Sequence, residues 1–155
     1  MVSWIARIVV VASVCFAAEA FAQGTRSKFS TALSSVTELH VQAGKLDEPA
    51  QRCGLAIGDL ETPARLALET SRLMLIETAK AFVHVNANVV AVGDLCAGAV
   101  DVELFRWSNE FGTSVNVWTR RAVVAGGRSE FNSRVREKVD TMTRDFISEW
   151  MKARR

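Results

Sequence analysis

The sequence predicts an α+β fold, a two-layer sandwich whose mainly antiparallel sheet of four to five strands carries two helices on one face, in the order β-α-β-β-β-β-α. Two observations predict it. The stretch FVHVNANVVAVGDLCAGAVDVELF, Phe82 to Phe105, alternates apolar and polar residues on both sides of a Gly-Asp pair, as two half-buried strands joined by a tight turn would. The last 25 or so residues repeat apolar positions every three or four, the period of an amphipathic helix. A sheet of cleanly alternating strands has one dry face, and two such helices suffice to cover it.

The chain begins MVSWIARIVVVASVCFAAEAFAQG. Arg7 and the amino terminus supply positive charge, Ile8 to Ala18 form an apolar run, and Ala20-Phe21-Ala22 is the small-x-small pattern read by signal peptidase. Residues 1–22 are therefore expected to be a Sec-type signal peptide, cleaved after Ala22, and the mature protein to be periplasmic or secreted. The apolar run is shorter than the roughly 20 residues a spanning helix needs, so no stable membrane span is expected after cleavage. Val14 stands before Cys15, where a lipid-attachment site favours Gly or Ala. Residues 23–34 are small, polar and aperiodic and read as a flexible lead-in, leaving a single domain over residues 35–155.

Within that domain, Val36 to Ala43 alternates, with Leu39, Val41 and Ala43 on one side and Glu38, His40 and Gln42 on the other. Gly44 ends this strand, and Lys45 to Gly58, broken by Pro49, Gly54 and Gly58, reads as a loop. A helix is expected to start between Asp59 and Pro63, capped by Asp59 or Thr62, with Leu60, Ala64, Ala67, Leu68 and Ser71 on its buried stripe. Leu73 to Ile76 reads as a short buried strand after a crossover or as the same helix running towards Lys80; the strand is favoured. Ala81 to Val92, Leu95 to Trp107 and Thr113 to Ala125 are the remaining strands. Gly126-Gly127 ends the sheet pattern, and Ser129 is the expected cap of a helix whose stripe is Phe131, Val135, Val139, Met142, Phe146 and Trp150.

Glycine first in a two-residue loop suits a type II′ turn, and Gly93-Asp94 in that role sets the hairpin register. Val83 then faces Leu104, Val85 faces Val102 and Ala87 faces Val100 on the dry side. On the wet side Phe82 faces Phe105, His84 faces Glu103 and Asn86 faces Asp101. Placing Val115 and Val117 on the dry face beside Leu104 and Val102 puts Asn116 next to Glu103 and Trp118 next to Asp101. The expected interaction face is thus Phe82, His84, Asn86, Asp101, Glu103, Phe105, Asn116 and Trp118. His40, alone on an edge strand, reads as surface.

Composition narrows the function classes. Lys and Arg number 19 against 17 Asp and Glu, a formal charge of +2 that survives removal of Arg7 and Glu19 with the leader. With the basic residues interleaved among acids, binding to nucleic acid is not expected. Cys15 leaves with the signal, so exactly Cys53 and Cys96 remain in an oxidising compartment, and a disulfide between them is expected. No nucleophile motif such as GxSxG or HExxH occurs. The GGRS run before the last helix has the form of an anion site at a helix terminus, with Arg128 assisting, though such glycines more often only make a turn.

One His and two carboxylates on adjacent strands, His84, Asp101 and Glu103, are the one candidate set for a divalent metal or for acid–base work. A cross-strand His–Glu pair more often simply solvates a sheet. The aromatics Phe82, Phe105, Trp107 and Trp118 beside polar residues suit a protein-binding patch.

The run VNVWTRRAVVAGGRSEFNSRVREKVDTMTRDFISEWMKARR resembles the ending of small exported bacterial proteins of unknown function: a VW-containing strand, a turn, a second short strand and a long helix with an aromatic and basic tail, after a strand bearing a Cys like Cys96. The order of elements is similar to that of the amino-terminal domain of the Tol-system translocation protein. The Tol-system domain and related envelope-assembly domains act by binding proteins, but the resemblances are of structure and topology only and transfer no catalytic residue. The sheet face supports the expectation of a non-enzymatic domain without cofactor that binds an envelope or periplasmic protein or forms a homodimer. The alternative reading is a metal-binding protein or metal-dependent enzyme using His84, Asp101 and Glu103.

Overall fold

The computed structural model describes residues 30–155. The expected signal peptide, its cleavage point and the lead-in up to residue 29 lie outside the described residues. The remainder of the lead-in, 30–34, is a helical turn (α1) that buries Leu33. There follow β1 (Glu38–Ala43), α2 (Glu48–Arg52), α3 (Ile57–Glu69), β2 (Met74–Leu75), β3 (Ala81–Val92), β4 (Leu95–Ser108), β5 (Thr113–Gly127) and α4 (Arg128–Ala153).

The five strands form one mixed sheet in the order β2-β1-β3-β4-β5. β1 runs parallel to both its neighbours, while β3, β4 and β5 are antiparallel. The favoured short strand at Leu73 to Ile76 is thus β2, reached by the crossover through α3. Helices α3 and α4 pack on one side of the sheet and on each other, which gives the expected two-layer α+β sandwich. None of the helices of the described residues is long and apolar enough to cross a membrane.

Burial follows the alternation. Val83, Val85, Ala87 and Val89 of β3 and Val100, Val102 and Leu104 of β4 are buried, and the stripe Phe131, Val135, Val139, Met142, Phe146 and Trp150 of α4 closes over them with Leu60, Ala64, Ala67 and Leu68 of α3. Trp150 is satisfied in this core, its indole N–H donating to the Val36 carbonyl at 2.9 Å. The Cys53–Cys96 disulfide, with Cα atoms 6.1 Å apart, ties the end of α2 to the start of β4.

The hairpin register agrees with expectation pair for pair, from Val83 opposite Leu104 to Val92 opposite Leu95. Gly93 has φ of 57° and no other residue of the loop has positive φ, as a type II′ turn requires. Gly98 answers to a different need: a Cβ there would lie 2.5 Å from the Asn88 carbonyl oxygen, so only glycine lets β3 and β4 approach at this point.

Four local expectations are corrected. Lys45 to Gly58 is not all loop, because Asp47 accepts the Ala50 N–H at 2.9 Å and Pro49 sits in the first turn, together starting α2. Asp59 does not cap α3 from outside; it is the third helical residue, and its carboxylate reaches back to the Ala56 N–H at 2.8 Å, with Pro63 inside the helix. Ser129 is no cap either, since β5 runs through Gly127 straight into α4, and the Arg128 N–H is used by the Asp94 carbonyl across the hairpin. Finally, β1 is not an edge strand, because β2 lies beyond it.

Candidate interaction face

The sheet face opposite the helices has no layer over it among the described residues, and the two registers arrange its side chains in rows across β3, β4 and β5. Counting from the hairpin, the rows are Val92, Leu95 and Gly127; Val90, Ala97 and Ala125; Asn88, Ala99 and Val123; Asn86, Asp101 and Arg121; His84, Glu103 and Thr119; and Phe82, Phe105 and Asn116. The face therefore has an aliphatic band, a polar band and an aromatic band. In the aliphatic band Val90, Val92, Leu95 and Val123 are 64, 70, 67 and 76% exposed, values unusual for four neighbouring large apolar side chains.

The polar band is internally paired. Asp101 is nearly buried and accepts from Arg121 Nε at 2.5 Å and Nη2 at 3.3 Å. The Arg121 guanidinium is held above its ordinary pKa, first by the hydrogen bond to Asp101 and then by attraction to its charge. His84 Nδ1 lies 3.7 Å from Glu103, whose other oxygen accepts the Asn116 amide N–H at 2.8 Å. In the aromatic band His40, Phe82 and Phe105 stack in sequence at centroid distances of 5.3 and 5.2 Å, with His84 edge-on to Phe105 at 6.2 Å. His40 is thus packed in a row rather than isolated, and its Nδ1 is buried without a hydrogen-bond partner.

Seven of the eight residues expected on this face are there, and Trp118 is not. A β-bulge between Leu104 and Phe105 sets Trp118 opposite Leu104 and Asn116 opposite Phe105, leaving Val117 as the extra residue. Asp101 accordingly faces Arg121, not Trp118, and Glu103 faces Thr119. Trp118 points to the helix side, packing edge-on against Phe146 at 5.4 Å and donating its indole N–H to Glu149 at 2.8 Å. Glu149 also binds Arg120, which lies over the Trp118 ring.

The metal reading loses its geometry. Asp101 is turned to Arg121, and no group of three or more His, Cys, Asp or Glu among the described residues is arranged to hold an ion. Arg128, which could have assisted an anion site, donates to the Gly93 carbonyl at 3.2 Å and lies 3.9 Å from Asp94.

The edges of the sheet are guarded where the face is not. β5 carries the bulge, its Trp118 N–H is taken by the Asn116 side chain at 3.1 Å, and its Ala125 carbonyl accepts from Arg134 at 3.0 Å. At the other edge β2 has two residues, and past its end the Ala43 N–H of β1 is taken by Glu61 at 3.1 Å. Short edges, bulges and charged side chains of this kind discourage strand addition.

No protein-family model matches the chain, and no curated protein matches it. Among solved structures it is similar to a minor lipoprotein from Acinetobacter baumannii, at 11% identity and TM-score 0.45 over 73% of this chain and 92% of that one. It is also similar to a PelC dodecamer from Paraburkholderia phytofirmans, at 14% identity and TM-score 0.48 over 74% of this chain and 88% of that one. A hypothetical protein from Chlamydia trachomatis matches at 8% identity and TM-score 0.41 over 70% and 93%.

The aliphatic band is the part of the face that sequence reasoning passed over. Val90, Val92 and Leu95 have the parity of His84, Asn86 and Glu103, so alternation alone assigns them to the wet side. Val123 joins them only through the bulge.

Proposed function

We propose that this is an exported, non-enzymatic interaction domain whose outer sheet face binds a protein, either a component of the cell envelope or a second copy of itself. The observation that supports this is the uncovered face itself, with apolar bands at both ends of a self-paired polar band while the sheet edges are guarded. Asp101 is satisfied by Arg121 and Glu103 by Asn116, so these carboxylates present a fixed charge pattern and need no ligand to complete them. The face is open, whereas a cleft of about 630 Å³ lies on the helix side between Arg72, Trp150 and Arg154. An open face suits a protein surface better than a small molecule.

The experiment is affinity capture from an envelope extract by the purified mature chain. Phe105→Ser, at a half-buried position, and Val90→Lys, at an exposed one, change opposite ends of the face and should each abolish or weaken capture, while Lys138→Glu on the far side of α4 should leave it unchanged. Equal capture by all of them would refute the assignment to this face. Elemental analysis of the same material tests the metal reading, which predicts a stoichiometric divalent ion lost in His84→Ala.

A further inference from the structure

We infer that the aliphatic band is the contact face of a twofold dimer, its occupant being the same band of a second copy. This rests on the reading of the outer sheet face as a protein-binding surface and names the partner.

Area comes first. Four large side chains exposed by 64 to 76%, with Ala97, Ala99 and Ala125 between them, amount to about 500 Å² of contiguous apolar surface, near the upper end of what monomers leave in water. A stable interface removes about 800 Å² from each partner, so the band with its immediate rim is of the size a dimer needs. The band has no charged side chain, so stacking it desolvates no ion.

Shape and charge then select the partner. Each row sets a large residue beside a small one: Leu95 beside Gly127, Val90 beside Ala97, Val123 beside Ala99. Valine ridges next to alanine hollows are self-complementary, which an isologous contact requires. Each end of the band carries an ion pair, Asp94 with Arg128 at the turn and Asp101 with Arg121 at the inner border. Asp94 lies in the turn with its side chain 97% exposed, and Arg121 lies at the inner border, 69% exposed despite its bond to Asp101. With two copies stacked face to face and antiparallel, the first row lies over the third row of the other copy. Asp94 then approaches the partner's Arg121, and the twofold axis makes that contact twice.

Competing occupants fit less well. An added strand would need a free edge, and side chains occupy backbone groups at Trp118 and Ala125 on one edge and at Ala43 on the other. A lipid surface favours Trp or Phe ringed by Lys and Arg, whereas this band is of Val, Leu and Ala with one Asn, Asn88, and its leading tip is the Asp94–Arg128 pair.

The test is the mass of the disulfide-bonded mature chain by sedimentation equilibrium from about 1 to 100 µM. The expected result is a dimer whose dissociation constant rises on the order of 100-fold in Val123→Asp, and likewise in Val90→Lys, because each buries an unpaired charge at the centre of the contact. Both positions are exposed in the single chain, so unchanged far-UV dichroism and melting temperature separate loss of contact from loss of fold. Asp94→Arg should weaken the dimer roughly tenfold and reduce its sensitivity to salt. A wild-type chain monomeric at 100 µM, or a dimer indifferent to both valine substitutions, overturns the inference. A monomer that floats with phosphatidylglycerol vesicles through the same valines overturns it in favour of lipid. In each of these cases the broader reading stands if Phe105→Ser still abolishes capture of an envelope protein, and falls with it if capture is also unaffected.

Discussion

Replacing Cys53 and Cys96 together by alanine should remove about 4 kcal/mol of stability while leaving the fold unchanged. The two residues are 43 apart, and the chain-entropy model gives about 4 kcal/mol for closing a loop of that length in the unfolded chain. Both cysteines are buried, and alanine keeps the sites apolar, so only a small loss of packing adds to the entropic term. For a domain of about 125 residues, an unfolding entropy of about 2.1 cal/mol/K per residue converts 4 kcal/mol into a fall in Tm of about 15 °C. The assay is urea unfolding and thermal melting of the wild type, the double alanine variant and the wild type reduced with a phosphine. The variant and the reduced wild type should agree within about 1 kcal/mol, with native near-UV dichroism retained in both below the transition. A loss under about 1 kcal/mol, or a variant without native tertiary structure, would refute the reasoning. The first would mean that the staple constrains little in the unfolded chain, the second that β4 needs the bond to find its place.

Other substitutions read individual contacts. Trp118→Ala should cost about 2 to 3 kcal/mol in urea unfolding, since it removes the Phe146 contact and the bond to Glu149, whereas a residue on the outer face would cost under about 0.5 kcal/mol. Gly98→Val should cost about 2 kcal/mol or more, because its Cβ would meet the Asn88 carbonyl oxygen; Ala99→Val, on the open face one residue on, should cost far less. Trp150→Phe keeps the apolar ring but leaves the buried Val36 carbonyl without its donor, a loss of about 1 to 2 kcal/mol that equilibrium unfolding can read.

The hairpin shows why so much of this fold is legible in the residues. Alternation fixes which side each residue of β3 and β4 faces, and Gly93 fixes the turn, so two independent local rules select one register and every pair follows. The α4 stripe is legible for the same reason: its period is a property of the helix itself. β5 is different. Its alternation is interrupted by one extra residue at Val117, and nothing in the letters VNVWT marks it. Both readings keep Val115 and Val117 towards the core, but only the bulged one lets Trp118 reach Phe146 and Glu149, residues about 30 positions away in α4. The position of β1 was similarly out of reach, because pairing it parallel to β3, with β2 on its far side, depends on how α3 packs over the sheet. His40 is therefore a stacked member of the aromatic row, not an exposed edge residue.

The sequence by itself determined the layers, the hairpin and its register, the terminal helix and the cysteine pair, all of which rest on periods and turn chemistry that act within a few residues or on simple counting. Only the tertiary structure decided the bulge, the neighbours of β1 and the pairing of Asp101 with Arg121. With these it decided the division of the outer face into aliphatic, polar and aromatic bands. Those features arise where strands meet partners distant in the chain, and the energies that select them, helix packing against Trp118 and a carboxylate meeting a guanidinium, exist only once the elements are assembled.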